Sequence, residues 1–152
     1  MSDIRFAAAS LVFGLAFLAR VAGQAVQRRW DVAFLPSQDA WQGSSLPFPA
    51  LFAAQVVILM IIATATLRMR TGRNLFGRRW VRPVAWFGVL YFAAMAARLA
   101  VGLLGDAGAF GDEGIAAGKW FTAYLPTAFH LVLASEVMLF AAYQRGRPQP
   151  PG

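Results

Sequence analysis

Four long apolar stretches, separated by polar or basic segments, dominate the hydrophobic pattern of this sequence. Their approximate limits are residues 4–26, 46–67, 83–104 and 120–143. A helix rises ~1.5 Å per residue and needs about 20 residues to cross ~30 Å of hydrocarbon, so each stretch is long enough to span a bilayer. The pattern therefore predicts an all-α protein, an integral membrane four-helix bundle.

The segments between the stretches predict the topology. Residues 68–82 contain six arginines and no acidic residue, whereas residues 105–118 are rich in glycine and acidic. Basic segments stay on the cytoplasmic side of a membrane. We therefore expect 68–82, the N-terminus and the C-terminus inside, with 27–46 and 105–118 outside. Residues 1–147 form one predicted domain, and 148–152 are predicted to be a disordered tail.

Composition supports a membrane protein and excludes several kinds of site. Hydrophobic residues make up 59% and charged residues 14%, against about 25% charged residues in a soluble domain. The net charge of +7 does not indicate nucleic-acid binding, because the arginines lie mainly between spans and no nucleic-acid motif is present. The absence of cysteine excludes disulfides and thiolate ligands. Frequent Ala, Gly and Arg are typical of a bacterial coding bias, and we expect the bacterial inner (cytoplasmic) membrane.

Each predicted span contains a strongly polar residue at a similar depth. These residues are Arg20, Gln55, Arg98 and His130, and Tyr91 shares a helical face with Arg98. Polar groups at membrane depth are costly and usually face protein or water at a functional site. Counting from the ends of the spans places the set in the outer half of the membrane or near its middle, which predicts a polar pocket between the helices.

For three of these residues a structural role competes with ligand binding. Arg20 either extends its guanidinium to nearby headgroups or faces the interior together with Gln24 and Gln27. Gln55 is typical of a residue that hydrogen-bonds to another helix. Arg98 either bonds to backbone carbonyls or glutamine, or binds an anion.

The fourth span combines a packing seam with two ionisable residues. Thr127, Ala134 and Ala141 recur every seven residues on the face of His130, which indicates close helix packing there. His130 is therefore expected to point into the bundle. Glu136 lies about 120° away on the helix. We expect Glu136 in the inner third of the membrane, alone except for Tyr91 and the helix ends, and assign it no role.

Two arginines with a histidine and a glutamine favour an anionic or carbonyl-bearing ligand: a carboxylate, a lipid headgroup or a quinone oxygen. The predicted function is therefore ligand binding within the membrane, with Trp41, Phe48 and Tyr124 at the mouth of the pocket. The predicted ligand-binding residues are Arg98, His130, Gln55, Arg20 and Tyr91.

Two other functions compete with this one. The chain is alternatively an accessory or structural subunit of a homo-oligomer or a larger membrane complex. It is alternatively a redox or transport protein that uses His130 as a single haem ligand or a proton relay. There is no HExxH motif, second histidine or carboxylate cluster, so no catalytic residue, metal ligand or cofactor is assigned and enzymatic activity stays open.

The topology is testable with single cysteines in intact cells. Cysteines at Ser44 and Gly114 should react with an impermeant thiol reagent added outside, because both loops are predicted to be external. A cysteine at Gly72 should react only after the membrane is permeabilised. External labelling of the Gly72 position would reverse the predicted orientation.

Overall fold

The protein is all-helical wherever the computed structural model describes it, in residues 3–37, 41, 47–106 and 124–147. Four long helices follow one another: α1 Asp3–Trp30, α2 Phe48–Arg70, α3 Val81–Asp106 and α4 Tyr124–Arg145. A 3-10 turn, Arg78–Trp80, leads into α3. All four helices are long and apolar enough to cross a membrane. The predicted all-α fold, with four helices long and apolar enough to span a membrane, is therefore confirmed, and the orientation of the chain in the membrane stays a prediction.

All four helices end two to four residues later than the spans predicted from hydropathy, and local contacts close the last turns of α1 and α2. α1 continues to Trp30, where Gln27 Nε2 donates to Asp31 Oδ1 at 2.8 Å and Gln27 Oε1 accepts from the Val32 amide at 3.0 Å. α2 ends at Arg70, and Gly72, two residues later, has a φ of 67° that allows the left-handed turn that commonly terminates helices. The amide of Gly72 then donates to the Met69 carbonyl at 3.2 Å.

Gly72 is therefore a poor position for the labelling experiment. Its positive φ disfavours cysteine, and an added Cβ would lie 3.0 Å from the Arg147 guanidinium. Gly77, in the same segment, has no atom within 4 Å of an added Cβ. The test of the internal loop is better made with Gly77→Cys. The positions Ser44 and Gly114, like the predicted tail 148–152, lie outside the described residues.

The helices pack as two antiparallel pairs, α1 with α2 and α3 with α4. The pairs join mainly through α1 and α4, and α2 makes only slight contact with α4. α1 and α4 are therefore the central helices, and α2 and α3 flank them. The outer faces of α2 and α3 expose large apolar side chains, including Ile61, Trp86 and Leu90, as expected for surfaces in contact with lipid.

Small residues allow the close approach within each pair. An added Cβ on Gly14 of α1 would lie 2.9 Å from Ile62 of α2, and one on Gly88 of α3 would lie 2.8 Å from Met138 of α4. The seam predicted on α4 is also present, since Thr127, Ala134 and Ala141 are all buried.

The start of α1 and the residues that follow α4 lie at the same end of the described structure. Arg147 forms a salt bridge with Asp3 at 2.7 Å, and Tyr143 donates to the Arg73 carbonyl at 2.9 Å. We call this part, residues 3–5, 68–82 and 143–147, the basic end. These segments meet at one end because the chain runs along the molecule an even number of times, in alternating directions.

Gly88→Val tests the close packing of α3 on α4. The new side chain would overlap Met138, including its backbone nitrogen 3.2 Å from the added Cβ. Overpacking of this kind costs about 1–3 kcal/mol, which thermal unfolding in detergent will measure. Gly77→Ala, where the added methyl meets nothing within 4 Å, is the control. If the two variants were equally stable, the close approach of α3 to α4 at Gly88 would be contradicted.

Candidate functional site

Tyr91 and His130 face each other across the α3–α4 interface. The Tyr91 hydroxyl is hydrogen-bonded to His130 Nδ1, and the two rings meet edge-on with centroids 5.9 Å apart. The contact fixes the orientation of the imidazole through one ring nitrogen. The other nitrogen, Nε2, is left as the group that His130 can present to a ligand.

Two buried arginines have positive charges within electrostatic range of this pair, one on α3 and one on α1. Arg98 of α3 is 6% exposed and Arg20 of α1 is 7% exposed. Both positive charges act on His130, and that of Arg98 also acts on Tyr91. The structure therefore brings four of the five predicted site residues into one region between α1, α3 and α4.

Aromatic rings hold the guanidinium of Arg20 inside the protein. It lies 5.4 Å from the centre of the Phe129 ring and 5.9 Å from that of Phe17. Such contacts stabilise a cation over the face of a ring without supplying a hydrogen-bond acceptor. Of the two alternatives for Arg20, burial in the interior is therefore the one observed, and Gln24 and Gln27 are buried on the same helix.

The fifth predicted residue, Gln55, belongs to the α1–α2 interface. Its Nε2 donates to Oε1 of Gln24 at 3.0 Å, and both side chains are buried. This is the hydrogen bond between helices that was expected for Gln55. The bond holds Gln55 against α1, one helical turn beyond Arg20, and no contact described for it reaches Arg98 or His130.

Three buried polar atoms in this region have no hydrogen-bond partner among the described residues. They are Arg20 Nε, Gln24 Nε2 and Gln55 Oε1. Two of the three are donors on successive turns of the same helix. Buried donors are nearly always satisfied, so this arrangement is suited to a molecule that supplies oxygen acceptors.

The three residues predicted at the mouth of the pocket each make a different contact. Trp41 is buried, donates from Nε1 to the Pro36 carbonyl at 2.9 Å, and packs on Gly23 of α1. It covers α1 next to Gln24. Phe48 lies under the Arg28 guanidinium at 4.4 Å. The Tyr124 hydroxyl donates to the Gly102 carbonyl at 3.2 Å.

A second polar cluster surrounds Glu136, and the expectation that Glu136 lies apart from other polar residues is wrong. Glu136 is 1% exposed and accepts a hydrogen bond from Ser10 of α1. Ser10 also contacts the Thr66 hydroxyl of α2 at 2.7 Å, and Thr66 donates to the Ile62 carbonyl at 2.9 Å. The cluster links three helices. Sequence reasoning missed it because a lone serine or threonine in an apolar run gives no distinctive signal.

Comparison with known proteins supplies no further guide to this site. No protein-family model, curated protein or solved structure matches the chain. Within the described ranges, no group of three or more His, Cys, Asp or Glu side chains is placed to hold a metal ion. The function must therefore be inferred from the geometry of the two polar clusters and of the charged surfaces.

Substitution of Glu136 tests the second cluster. Glu136→Gln keeps the size of the side chain and an oxygen that can accept from Ser10. The free energy of unfolding in detergent should therefore change by less than about 1 kcal/mol. Glu136→Ala removes the acceptor and leaves a cavity, which should cost about 2–4 kcal/mol. Ser135→Ala is the control, since the one bond of Ser135 to a described residue is to the Leu131 carbonyl of its own helix. Similar losses for Glu136→Ala and Ser135→Ala would contradict the linking role.

Proposed function

We propose that this protein binds a small anionic or carbonyl-bearing molecule between α1, α3 and α4. The ligand class is a carboxylate, a phospholipid headgroup or a quinone. Arg20 and Arg98 bind its oxygens, and His130, oriented by Tyr91, contributes a further polar group. Gln55 acts indirectly, because it holds Gln24 in place beside Arg20.

The burial of Arg20 is the observation that carries this proposal. Its side chain is almost completely enclosed, yet Nε has no acceptor among the described residues. An isolated buried charge is strongly unfavourable unless it is paired or hydrogen-bonded. Contacts with two phenyl rings do not replace a hydrogen-bond acceptor. A ligand oxygen would supply one, and Gln24 Nε2 offers a second donor one turn away.

Arginine at this position also favours the proposed ligand class. Its planar guanidinium matches the paired oxygens of a carboxylate or phosphate and is more weakly hydrated than an ammonium group. The surroundings are mainly apolar and aromatic with a few convergent polar groups, which is the usual composition of a small-molecule site between bundle helices.

We further propose that the protein lies in a bacterial inner membrane with the basic end in the cytoplasm. The support is the arginine-rich segment 68–82, which lies at the same end as Asp3 and Arg147. In this orientation both chain ends are cytoplasmic. The site around Arg20 and His130 then lies toward the outer half of the membrane. The subunit, haem and proton-relay alternatives stay predictions.

The function is testable by native mass spectrometry of the protein purified in mild detergent. The wild type should retain a small lipophilic molecule that Arg20→Leu loses. Arg29→Leu, which removes an exposed arginine from the same helix, should retain it. Identical bound molecules in all three proteins would contradict the proposed site. So would failure of the wild type to retain any molecule that Arg20→Leu lacks, or to be stabilised more than Arg20→Leu by a short-chain quinone, a phosphatidylglycerol or a dicarboxylate.

Arg98 provides a test of the geometry of binding. Lysine keeps the charge but lacks the planar array of donors. Arg98→Lys should therefore preserve the fold and weaken binding of the retained molecule by about 1.5–3 kcal/mol. That loss is on the order of ten- to a hundredfold in affinity, measurable by thermal-shift titration. Arg98→Leu should abolish binding, with gel filtration confirming that it folds. Unchanged affinity in Arg98→Lys would exclude a bidentate contact.

A further inference from the structure

A deep groove at the basic end is lined by five arginines. They come from two elements: Arg78, Arg79 and Arg82 from the start of α3 and the turn before it, and Arg145 and Arg147 from the end of α4. The volume of the groove is about 880 Å³. A concave surface with this charge lies far from Arg20 and His130 along the helices, and ligand binding at that site does not involve it.

Described acidic residues neutralise only a small part of the positive charge of the groove. Among the described acidic side chains, Asp3 alone lies at the basic end, and it binds Arg147 at 2.7 Å. Glu136 is buried with Ser10, and Asp31 follows the opposite end of α1. Arg78, Arg79, Arg82 and Arg145 therefore make no salt bridge to a described residue. Their mutual repulsion favours an anionic occupant.

The walls of the groove are held together by hydrogen bonds outside the arginines. Gln144 Oε1 accepts from the Leu75 amide at 2.7 Å, and Gln144 Nε2 donates to Asn74 Oδ1 at 3.2 Å. Tyr143 binds the Arg73 carbonyl. The segment before α3 is thus fastened to the end of α4. The two sets of arginines face one space without the entropic cost of ordering a free loop, and preorganisation of this kind favours binding.

The position of the groove along the helices indicates that it lies in the headgroup region of a bilayer. Trp80 lies beside it, is 51% exposed, and has the Arg79 guanidinium 5.9 Å from its ring centre. Tryptophan prefers the membrane–water interface. The apolar face of α3 continues from there with exposed Trp86 and Leu90, a surface along which acyl chains can lie.

We propose that this groove is a binding site for the phosphate groups of an anionic phospholipid. Guanidinium groups bind phosphate oxygens in pairs, and basic pockets between membrane helices are suited to phospholipid headgroups. Five arginines on two walls exceed what one phosphate can contact. The groove therefore favours a headgroup with two phosphates, as in diphosphatidylglycerol, over one with a single phosphate.

Titration of lipid into the delipidated protein tests this proposal, with binding followed by native mass spectrometry and thermal shift. Diphosphatidylglycerol should bind more tightly than phosphatidylglycerol, and phosphatidylcholine should bind only weakly. In the triple variant Arg79→Gln, Arg82→Gln, Arg145→Gln, affinity for diphosphatidylglycerol should fall about a hundredfold, since each basic residue near an anionic lipid contributes about fivefold. Inorganic phosphate should not compete at equal concentration.

A charge-matched control distinguishes a built site from general attraction. The variant Arg5→Gln, Arg70→Gln, Arg73→Gln also removes three exposed arginines from the basic end, but none of them lines the groove. Its affinity should fall less than about threefold. Equal losses in the two triple variants would overturn the proposal, as would equal binding of all three lipids or stabilisation by inorganic phosphate alone. Retention of the ligand proposed for the Arg20 site should be unchanged in both variants, so the two proposals fail separately.

Discussion

A polar side chain within a membrane-spanning helix must find its partner inside the protein, and the polar face of α1 imposes this constraint most strongly here. Ser10, Arg20 and Gln24 are all buried on that helix. Their partners come from both neighbours: Thr66 and Gln55 from α2, Glu136 and the Phe129 ring from α4. Lipid tails offer no hydrogen bonds, so these contacts determine which face α1 presents to each neighbour.

This constraint divides the interior into two polar levels with different chemistry. The level of Ser10 contains a carboxylate and two hydroxyls, whose contacts join three helices. The level of Arg20 contains two buried arginines, and the guanidinium of Arg20 lies against phenyl rings. The first level has the composition of a structural link, and the second that of a site for an acidic or carbonyl-bearing molecule. The exposed arginines of the basic end form a third, solvent-facing charge cluster.

Much of the fold was predictable because its signals are long and local. Four apolar stretches of sufficient length indicate four spanning helices, and isolated polar residues within them identify Arg20, Gln55, Arg98 and His130. Pairing between helices was not predictable, because it depends on rotation and depth. The angle between Glu136 and His130 around the axis of α4 correctly predicts that they face different neighbours. That angle cannot show that Ser10 of α1 lies opposite Glu136. The ends of α1 and α2 were also predicted too early. Their last residues are polar or basic, so hydropathy excluded them, although contacts near Gln27 and Gly72 complete the last turn.

The order in which the helices are made gives the α1–α4 contact a particular meaning. Ser10 and Glu136 are separated by 126 residues, and Asp3 and Arg147 by 144. During synthesis α1 and α2 enter the bilayer first and can form their Gln24–Gln55 bond as a pair. Ser10 and Arg20 still lack the residues of α4 at that stage. The native arrangement is therefore completed only when the last span is released, and a truncated chain would expose buried polar groups of α1 that cellular quality control can recognise.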